Sequence, residues 1–417
     1  MTAKKAIKTI PVLLIDFRLA LRNILRQRRR TSIAVLAISF GVIAMMLSAG
    51  YIEWVYKANR ELTVINQLGH IQVARTGFHD GGLADPFLYL LPDDPNVLSA
   101  LQRTPGVSSV APRLNFSGLI SHGDSTLSFI GEGIDPKMDP SSHNLIITEG
   151  QLLTPNDSKG VLLGAGLAAN LGVKTGDAVV LLTNTTSGGI NAVEGQVRGL
   201  ISTSMKAFDD NMLRVPIGMA RQLLRTKGSH LLVVMLQHTE MTDMVMGQLK
   251  ANRILKSYEI VPWTKLADFY NKTVALFSRQ MSVVKTIIAV IIILSISNTM
   301  TMSVMERIVE IGTAMALGVR RRRILGLFLL EGMLLGALGG IIGVAIGYIL
   351  AQVISAVGIP MPPAPGMSRG FIAGINVTST IVWEALILAL STTLIASIYP
   401  AWRASRLVIV DALRHNR

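Results

Sequence analysis

Cysteine is missing from all 417 residues, which rules out disulfide bridges, thiolate catalysis and cysteine-ligated zinc. The compartment stays open, because a domain of about 200 residues buries a core without covalent staples. Charge is scarce: 16% of the residues are Asp, Glu, Lys or Arg, where soluble domains carry roughly a quarter. Half of the chain is hydrophobic and the mean hydropathy is +0.47, so a wholly soluble protein is excluded. The phosphate-cradling run G-x-x-x-x-G-K-[ST] is absent, and with it any sign of a nucleotide site in this chain. Gly164, Gly166 and Ala169 have dinucleotide-turn spacing, but they read better as a turn before a short helix. His70, His79, His122, His143, His230, His238 and His415 are scattered without metal-site spacing, and Asp209 and Asp210 read as solvated turn residues. No catalytic, cofactor-binding or metal-ligating set is expected in this chain, and an enzyme is not expected.

What is present is a basic excess, a net charge of +14. In a soluble protein that excess would point to nucleic acid; its placement here points elsewhere. Residues 1–30, 306–323 and 403–417 together hold eighteen basic and four acidic side chains, whereas 53–280 holds twenty of each. The surplus therefore flanks apolar runs on one face of a membrane, and no nucleic-acid partner is expected.

Four uncharged runs stand out: Thr31–Ile52, Thr286–Met305, Gly332–Ser368 and Ala385–Trp402. Each is long enough, at 1.5 Å per residue, to cross a hydrocarbon layer of about 30 Å. The third exceeds one span and carries Pro360, Pro362, Pro363 and Pro365, so a helix from about Leu325 to Val357 is expected, followed by a stiff turn. The first run starts too late and is too long for a cleaved signal peptide; it reads as a retained anchor. The positive-inside rule places both termini and the 306–323 loop in the cytoplasm and 53–280 outside.

The expected fold is an α-helical membrane protein with four transmembrane helices and a large α/β extracytoplasmic domain between helices 1 and 2. Residues 1–30 form an amphipathic N-terminal segment, 31–52 span 1, 53–280 the outer domain, 281–305 span 2, 306–323 a cytoplasmic loop, 324–357 span 3, 358–376 an outer proline-rich loop, 377–402 span 4 and 403–417 a tail. In the first segment Leu13, Phe17, Leu21, Ile24 and Leu25 keep helical spacing with Arg18, Arg22 and Arg26 between them, a pattern suited to lying along the inner leaflet. A mitochondrial targeting helix shares those features, but a span follows at once. The outer domain shows strand patterns at His70–Ala74, Val107–Arg113, Ala178–Leu182, Leu231–Leu236 and Tyr258–Val261. Helical patterns lie at Pro95–Gln102, Val215–Leu224 and Thr242–Asn252. They predict a split α/β core (53–114 with 206–262) carrying a β-rich insertion at about 115–205, with 263–285 running as an unbroken helix into span 2.

In the 306–323 loop, Glu306 and Glu310 share a helix face at i,i+4, while Ile311, Met315 and Leu317 supply apolar contacts and Gly318 a stop. Such a helix would dock into a groove on a cytoplasmic partner; the same residues also suit a loop lying at the headgroups. Gly332, Gly336, Gly340, Gly343 and Gly347 give span 3 a close-packing stripe against span 1 or a second permease chain. Ionisable residues in or beside spans are candidates for function. Glu331 reads as an anchor to the neighbouring loop; Lys285 and Glu384 either pair or snorkel separately to water. The segment 358–370 lines a route for an amphipathic substrate or is a rigid connector.

The run MERIVEIGTAMALGVRRRRILGLFLLEGMLLGALGGIIG resembles the signature of FtsX-like ABC-transporter permeases, the superfamily of MacB and of LolC/LolE. YPAWRASRLVIVDALR is similar to the family's closing motif, LRNILRQRRRTSIAVLAISFGV to its elbow helix and first span, and GVLLGAGLAANLGVKTGDAVVLL to its outer domain. Met315, Ile409 and Asp411 depart from the usual pattern. In layout the chain is most like the lipoprotein-releasing permeases.

The resemblance implies a mechanotransmission permease of the bacterial inner membrane. It implies that Glu306, Arg307, Glu310, Ile311, Gly312, Ala316, Leu317 and Gly318 form a coupling helix for a cytoplasmic ABC ATPase, which would hold ATP and Mg2+. The further partners implied are a second permease chain (a homodimer or a heterodimer), membrane lipid, a lipoprotein or other amphipathic cargo, and a periplasmic chaperone or adaptor. The expected task is extraction of that cargo from the outer leaflet. Tripartite efflux of the MacB kind, and FtsX-like signalling to a cell-wall hydrolase, are the alternatives.

Overall fold

A computed structural model describes residues 9–26, 28–82, 85–139, 141, 145–203, 206–363 and 370–408. The start of the N-terminal segment, His143, Pro365 and Arg369 of the proline-rich loop, and the tail from Ile409, with Asp411, Arg414, His415 and Arg417, lie outside the described residues. Two compact units emerge. A membrane unit comprises Met1–Tyr56, Val274–Ile359 and Ile372–Arg417, and an α/β unit comprises Lys57–Thr273 and Pro360–Phe371.

Among the described residues, an N-terminal helix, Thr9–Arg26, precedes four helices long and apolar enough to cross a membrane. These are Arg28–Thr63, continued by a π-helical turn at Val64–Leu68, then Asp268–Glu306, Arg321–Val357 and Ser379–Ser405. Each outruns its apolar stretch, because charged residues continue a helix into water once its middle is fixed. The third starts at Arg321 rather than Leu325. The second is not continuous from residue 263: a four-residue turn, Trp263–Leu266, ends at Ala267 (φ −84°, ψ 60°) before the long helix begins. Side-chain periodicity is blind to a single off-helix residue, so the pattern continued through the break.

The glycine stripe makes two seams. A Cβ on Gly332 or Gly336 would collide with Ser397 or Thr393 of the fourth helix, and one on Gly340 would sit 3.3 Å from Leu386. Farther along, Gly343 and Gly347 face Val42 and Met46 of the first helix, joined by Gly339, where a Cβ would lie 2.7 Å from Ile38 Cβ. The glycines share one face of the third helix, but the neighbour covering that face changes along its length. The expected packing on span 1 is therefore completed by a second seam on span 4. In lipid, helix association draws on packing rather than on water exclusion. Ser39 Oγ donates to Gly339 O at 2.9 Å across the first seam, a bond that only such close backbones allow.

The α/β unit contains β1 (Ile71–Arg75), β2 (Val107–His122), β3 (Ser125–Ile134), β4 (Ile146–Gly150), β5 (Gly160–Gly164), β6 (Ala178–Asn184), β7 (Ile190–Ser202), β8 (Met212–Pro216), β9 (Leu231–Leu236) and β10 (Tyr258–Pro262). The order β10-β1-β9-β2 forms an antiparallel sheet. It packs on helices Pro95–Gln102 and Thr242–Ala251 around Val73, Leu101, Val234, Val245 and Leu249. Pro95 opens the first of these helices behind Asp94, whose carboxylate accepts from Asn96 N at 2.9 Å.

From Leu114 onward β2 leaves β9 and pairs with β3. The path β2-β3-β8-β5-β7-β6 returns to β2, because β6 pairs with both β7 and β2. This closed six-stranded ring, with β3–β8 and β5–β7 parallel, leaves none of its own six strands at an edge, and β4 adds on the outside of β7. Its core includes Phe116 against Phe129, edge to face at 5.6 Å, and the helix Ile217–Leu224 through Met219, Ala220 and Leu223. The expected insertion limits of 115 and 205 do not hold. β2 is one strand through 115, and β8 with helix Ile217–Leu224 belongs to the ring. Hydrophobic pattern marks a buried face without telling which of two cores buries it.

Two tests follow from this packing. Gly339→Val would overpack the seam and cost about 1–3 kcal/mol. Gly326→Ala meets open space and is expected to be neutral or slightly stabilising in thermal unfolding of the detergent-solubilised chain. Burial drives His70 and His230 down to about 4, and each Nδ1 accepts a backbone N–H, from Leu236 and Asn115 respectively, as only a neutral ring can. Between pH 6.5 and 4 the unfolded chain takes up protons that the folded one refuses, so this contribution to stability is complete above 6.5 and lost as pH falls through that window. The unfolding midpoint is expected to drop several degrees from pH 7 to pH 5, and less so in a His70→Gln, His230→Gln variant.

Candidate functional site

The second long helix stops at Glu306, and Arg307 leaves helical geometry (φ −108°, ψ 13°) before a short helix, Ile308–Ala316. At that break Arg307 Nη1 donates to both oxygens of Glu331, at 2.9 and 3.3 Å, and its guanidinium lies 5.6 Å from the Phe328 ring centre. Asn23 Nδ2, from the N-terminal helix, donates to the same carboxylate at 2.6 Å. Glu331 and Arg307 are 4% and 8% exposed. One carboxylate thus joins the third long helix, the short helix and the N-terminal helix. It borders a cavity of about 20 Å³ with a mixed lining that includes Arg30, Thr31, Thr299 and Ser303 beside Ile24, Met300 and Leu335, room for a single water.

Three further ion pairs lie in the same unit. Arg26 reaches Glu310 at 2.6 Å and Arg30 reaches Glu306 at 2.5 Å. Arg323 donates to Asp16 at 2.8 and 3.0 Å. Burial works against the Glu310 charge, but the Arg26 and Arg307 guanidinium groups outweigh it and hold the carboxyl below its ordinary 4.5. The Arg26–Glu310 attraction is therefore complete above that value and is lost only as pH falls through the lowered one. Both side chains are more than half exposed, so its energetic weight is small.

The candidate residues divide sharply. Glu306 belongs to the preceding long helix and Arg307 to the break, so the short helix proper starts two residues later than the expected coupling segment. Ile311, Gly312 and Met315 are buried, the two side chains in the membrane-unit core, whereas Ala316, Leu317 and Gly318 are exposed, Leu317 by 83%. An amphipathic period does not say whether its apolar face meets a partner or the chain itself; here Ile311 and Met315 meet the chain. Gly318 (φ 93°) ends the helix, its N–H on Met315 O and Val319 N–H on Ala314 O, the paired bonds of a Schellman cap. Lys285 Nζ donates to Glu384 Oε2 at 2.6 Å, joining the second and fourth long helices with both side chains partly exposed.

Sequence reasoning missed Asn23, Arg30, Asp16 and Phe328, and it assigned Arg26 to the lipid headgroups. The available signal was the i,i+4 spacing of Arg26 and Arg30, which mirrors that of Glu306 and Glu310. Removing one member of a buried pair costs about 3–5 kcal/mol, so Glu331→Ala is expected to lower thermal stability by that order. Glu306→Gln, at an exposed pair, stays within about 1 kcal/mol. Equal losses in the two variants would displace Glu331 from the centre of the network.

Comparison with known proteins matches both units. The FtsX-like permease C-terminal family model covers residues 282–409 and the MacB-like periplasmic core domain model covers 31–252. The uncharacterized ABC transporter permease MJ1507 of Methanocaldococcus jannaschii is 29% identical over 64% of this chain, which spans 65% of that relative's length. The lipoprotein-releasing system transmembrane protein LolE of Haemophilus influenzae is 22% identical over 75% of this chain and 78% of its own. The macrolide export ATP-binding/permease protein MacB of Hyphomonas neptunium is 26% identical over 99% of this chain and 62% of its own. The chain belongs to the ABC-transporter permeases that combine an FtsX-like membrane domain with a MacB-like periplasmic core domain.

Proposed function

We propose that this permease relays ATP-driven movement of a separate cytoplasmic ABC ATPase, which holds ATP and Mg2+, to its α/β domain. The observation that carries the reading is the Glu331 centre. Three elements meet at one buried carboxylate, and the short helix attached to it leaves Ala316, Leu317 and Gly318 exposed. A push on that exposed end would reach the third long helix through Arg307–Glu331, the N-terminal helix through Glu310–Arg26 and the first long helix through Glu306–Arg30. The basic excess at both termini and in the 306–323 loop favours a cytoplasmic location for those segments and a periplasmic one for the α/β domain, in a bacterial inner membrane.

The proposed task is extraction or release of a lipoprotein or another amphipathic molecule from the outer leaflet, by a pair of permease chains. Likeness to LolE over three quarters of both chains supports it. So do the glycine seams, which suit a solid lever better than an aqueous conduit. MacB-like efflux is the second reading, favoured by the match to MacB along 99% of this chain.

Purification from native membranes followed by mass spectrometry tests both levels. An ATPase is expected to co-purify and to be lost in Leu317→Asp. Absence of any ATPase would sink the relay. A bound lipoprotein with a soluble chaperone supports extraction; a periplasmic adaptor supports efflux.

A further inference from the structure

The first long helix ends within the α/β unit, at the π-helical turn Val64–Leu68. Gly69 closes it with φ 69° and an N–H bond to Val64 O at 2.8 Å. A helix end leaves its last carbonyls unpaired, and here three in succession are taken by strand side chains. Arg214 Nη2, on β8, donates to Asn66 O at 2.7 Å; Arg113 Nη1, on β2, donates to Gln67 O; Gln72 Nε2, on β1, donates to Leu68 O at 2.9 Å. Arg113 and Arg214 are 2% and 1% exposed.

Both cations are neutralised inside the unit. Arg113 Nη2 meets Asp139 Oδ2 at 2.7 Å and Arg214 Nε meets Glu132 Oε2 at 2.8 Å. Ser141 Oγ lies 3.4 Å from each guanidinium, and its N–H binds Asp139 Oδ1 at 3.0 Å. Burial opposes ionisation, yet Asp139 and Glu132 hold the Arg113 value up, and Arg113 holds the Asp139 carboxyl down. Ending a helix requires none of this, since a glycine and water suffice. Buried ion pairs are also weak stabilisers compared with apolar packing. What two planar guanidinium groups add is direction, because each grips a carboxylate and a helix carbonyl in a fixed fork. They sit at a wide π turn, a backbone form often found at functional sites, where a pull on the helix would otherwise be absorbed.

Building on the relay reading above, we propose that Arg113 and Arg214 are positioning residues for coupling. They fasten the last turn of the first long helix to β2 and β8, so that displacement of the helix is delivered to the strand ring.

The chain has no native cysteine, so spin labels are placed at exposed Lys57, on the helix, and exposed Asp124, in the β2–β3 turn. Full-length permease is reconstituted with its co-purified ATPase in liposomes of native lipid, with and without ATP and vanadate. The native protein is expected to keep one narrow label separation in both states. In Arg113→Lys, Arg214→Lys the charges remain but the forks are lost. The separation is expected to broaden and the lipid-anchored protein released per ATP to fall at least about fivefold, while hydrolysis is unchanged. Native-like width and release ratio in that variant overturn the proposal. Should the variant fail to fold, Gln72→Met frees the Leu68 carbonyl, and with it His79 Nε2, and is expected to broaden the separation to a lesser degree; no change there also overturns the proposal. If no ATPase co-purifies, the relay reading fails by itself, and label widths without nucleotide still judge the fastening: equal widths in native and lysine variants reject it.

Discussion

A buried carboxylate inside a membrane helix is tolerable only where donors are fixed around it, and Glu331 imposes that condition on the membrane unit. Arg307 meets it by leaving helical geometry, which sets where the second long helix stops and where the short helix starts. Asn23 supplies a second donor and so fixes how the N-terminal helix lies. With those three elements placed, Arg26 and Arg30 fall opposite Glu310 and Glu306 in matching order. The flanking pairs are half in solvent and contribute little each; their register follows from the buried centre.

The two units use different solutions because they face different solvents. In the α/β unit, burial of Leu, Val and Phe side chains from water drives the fold, and closure of the strand ring protects its edges. In the membrane unit lipid tails are as apolar as leucine, so the helices hold through glycine seams and a few polar ties. Pro400 within the fourth helix fits the same setting, since proline is tolerated within membrane helices.

Much of this was legible in the sequence, for reasons that particular residues make clear. The spans show as uncharged runs because the hydrocarbon layer demands length and apolarity together. Gly318 marks a helix end through local chemistry that needs no tertiary context. The glycine stripe was visible, but not that Gly332, Gly336 and Gly340 face one helix and Gly343 and Gly347 another. Nor was the exchange of Ile311 and Met315 from a partner-facing to an inward role, because an amphipathic pattern is silent about what covers it. Asn23, Arg113 and Arg214 were invisible for a simpler reason. Each acts on a residue dozens to hundreds of positions away, and nothing in spacing links Asn23 to Glu331 or Arg214 to Asn66.

Directional bonds and dispersion resist different loads, and the molecule distributes them unevenly. A guanidinium fork on a carboxylate loses its energy within a fraction of an ångström of misalignment. A glycine seam built from dispersion contacts, each worth only about 0.1–0.2 kcal/mol, changes more gradually as one helix slides along another. The directional guanidinium bonds lie near helix ends, at Arg307 in the membrane unit and at Arg113 and Arg214 in the α/β unit; the seams lie along helix middles. In the proposed relay, a helix shifting within a bilayer while keeping hold of the strand ring would use this division, with compliance along its length and stiffness at its joints. Reversing it, with forks in the middle and seams at the ends, would pin the helix in the membrane and let the driven parts slip.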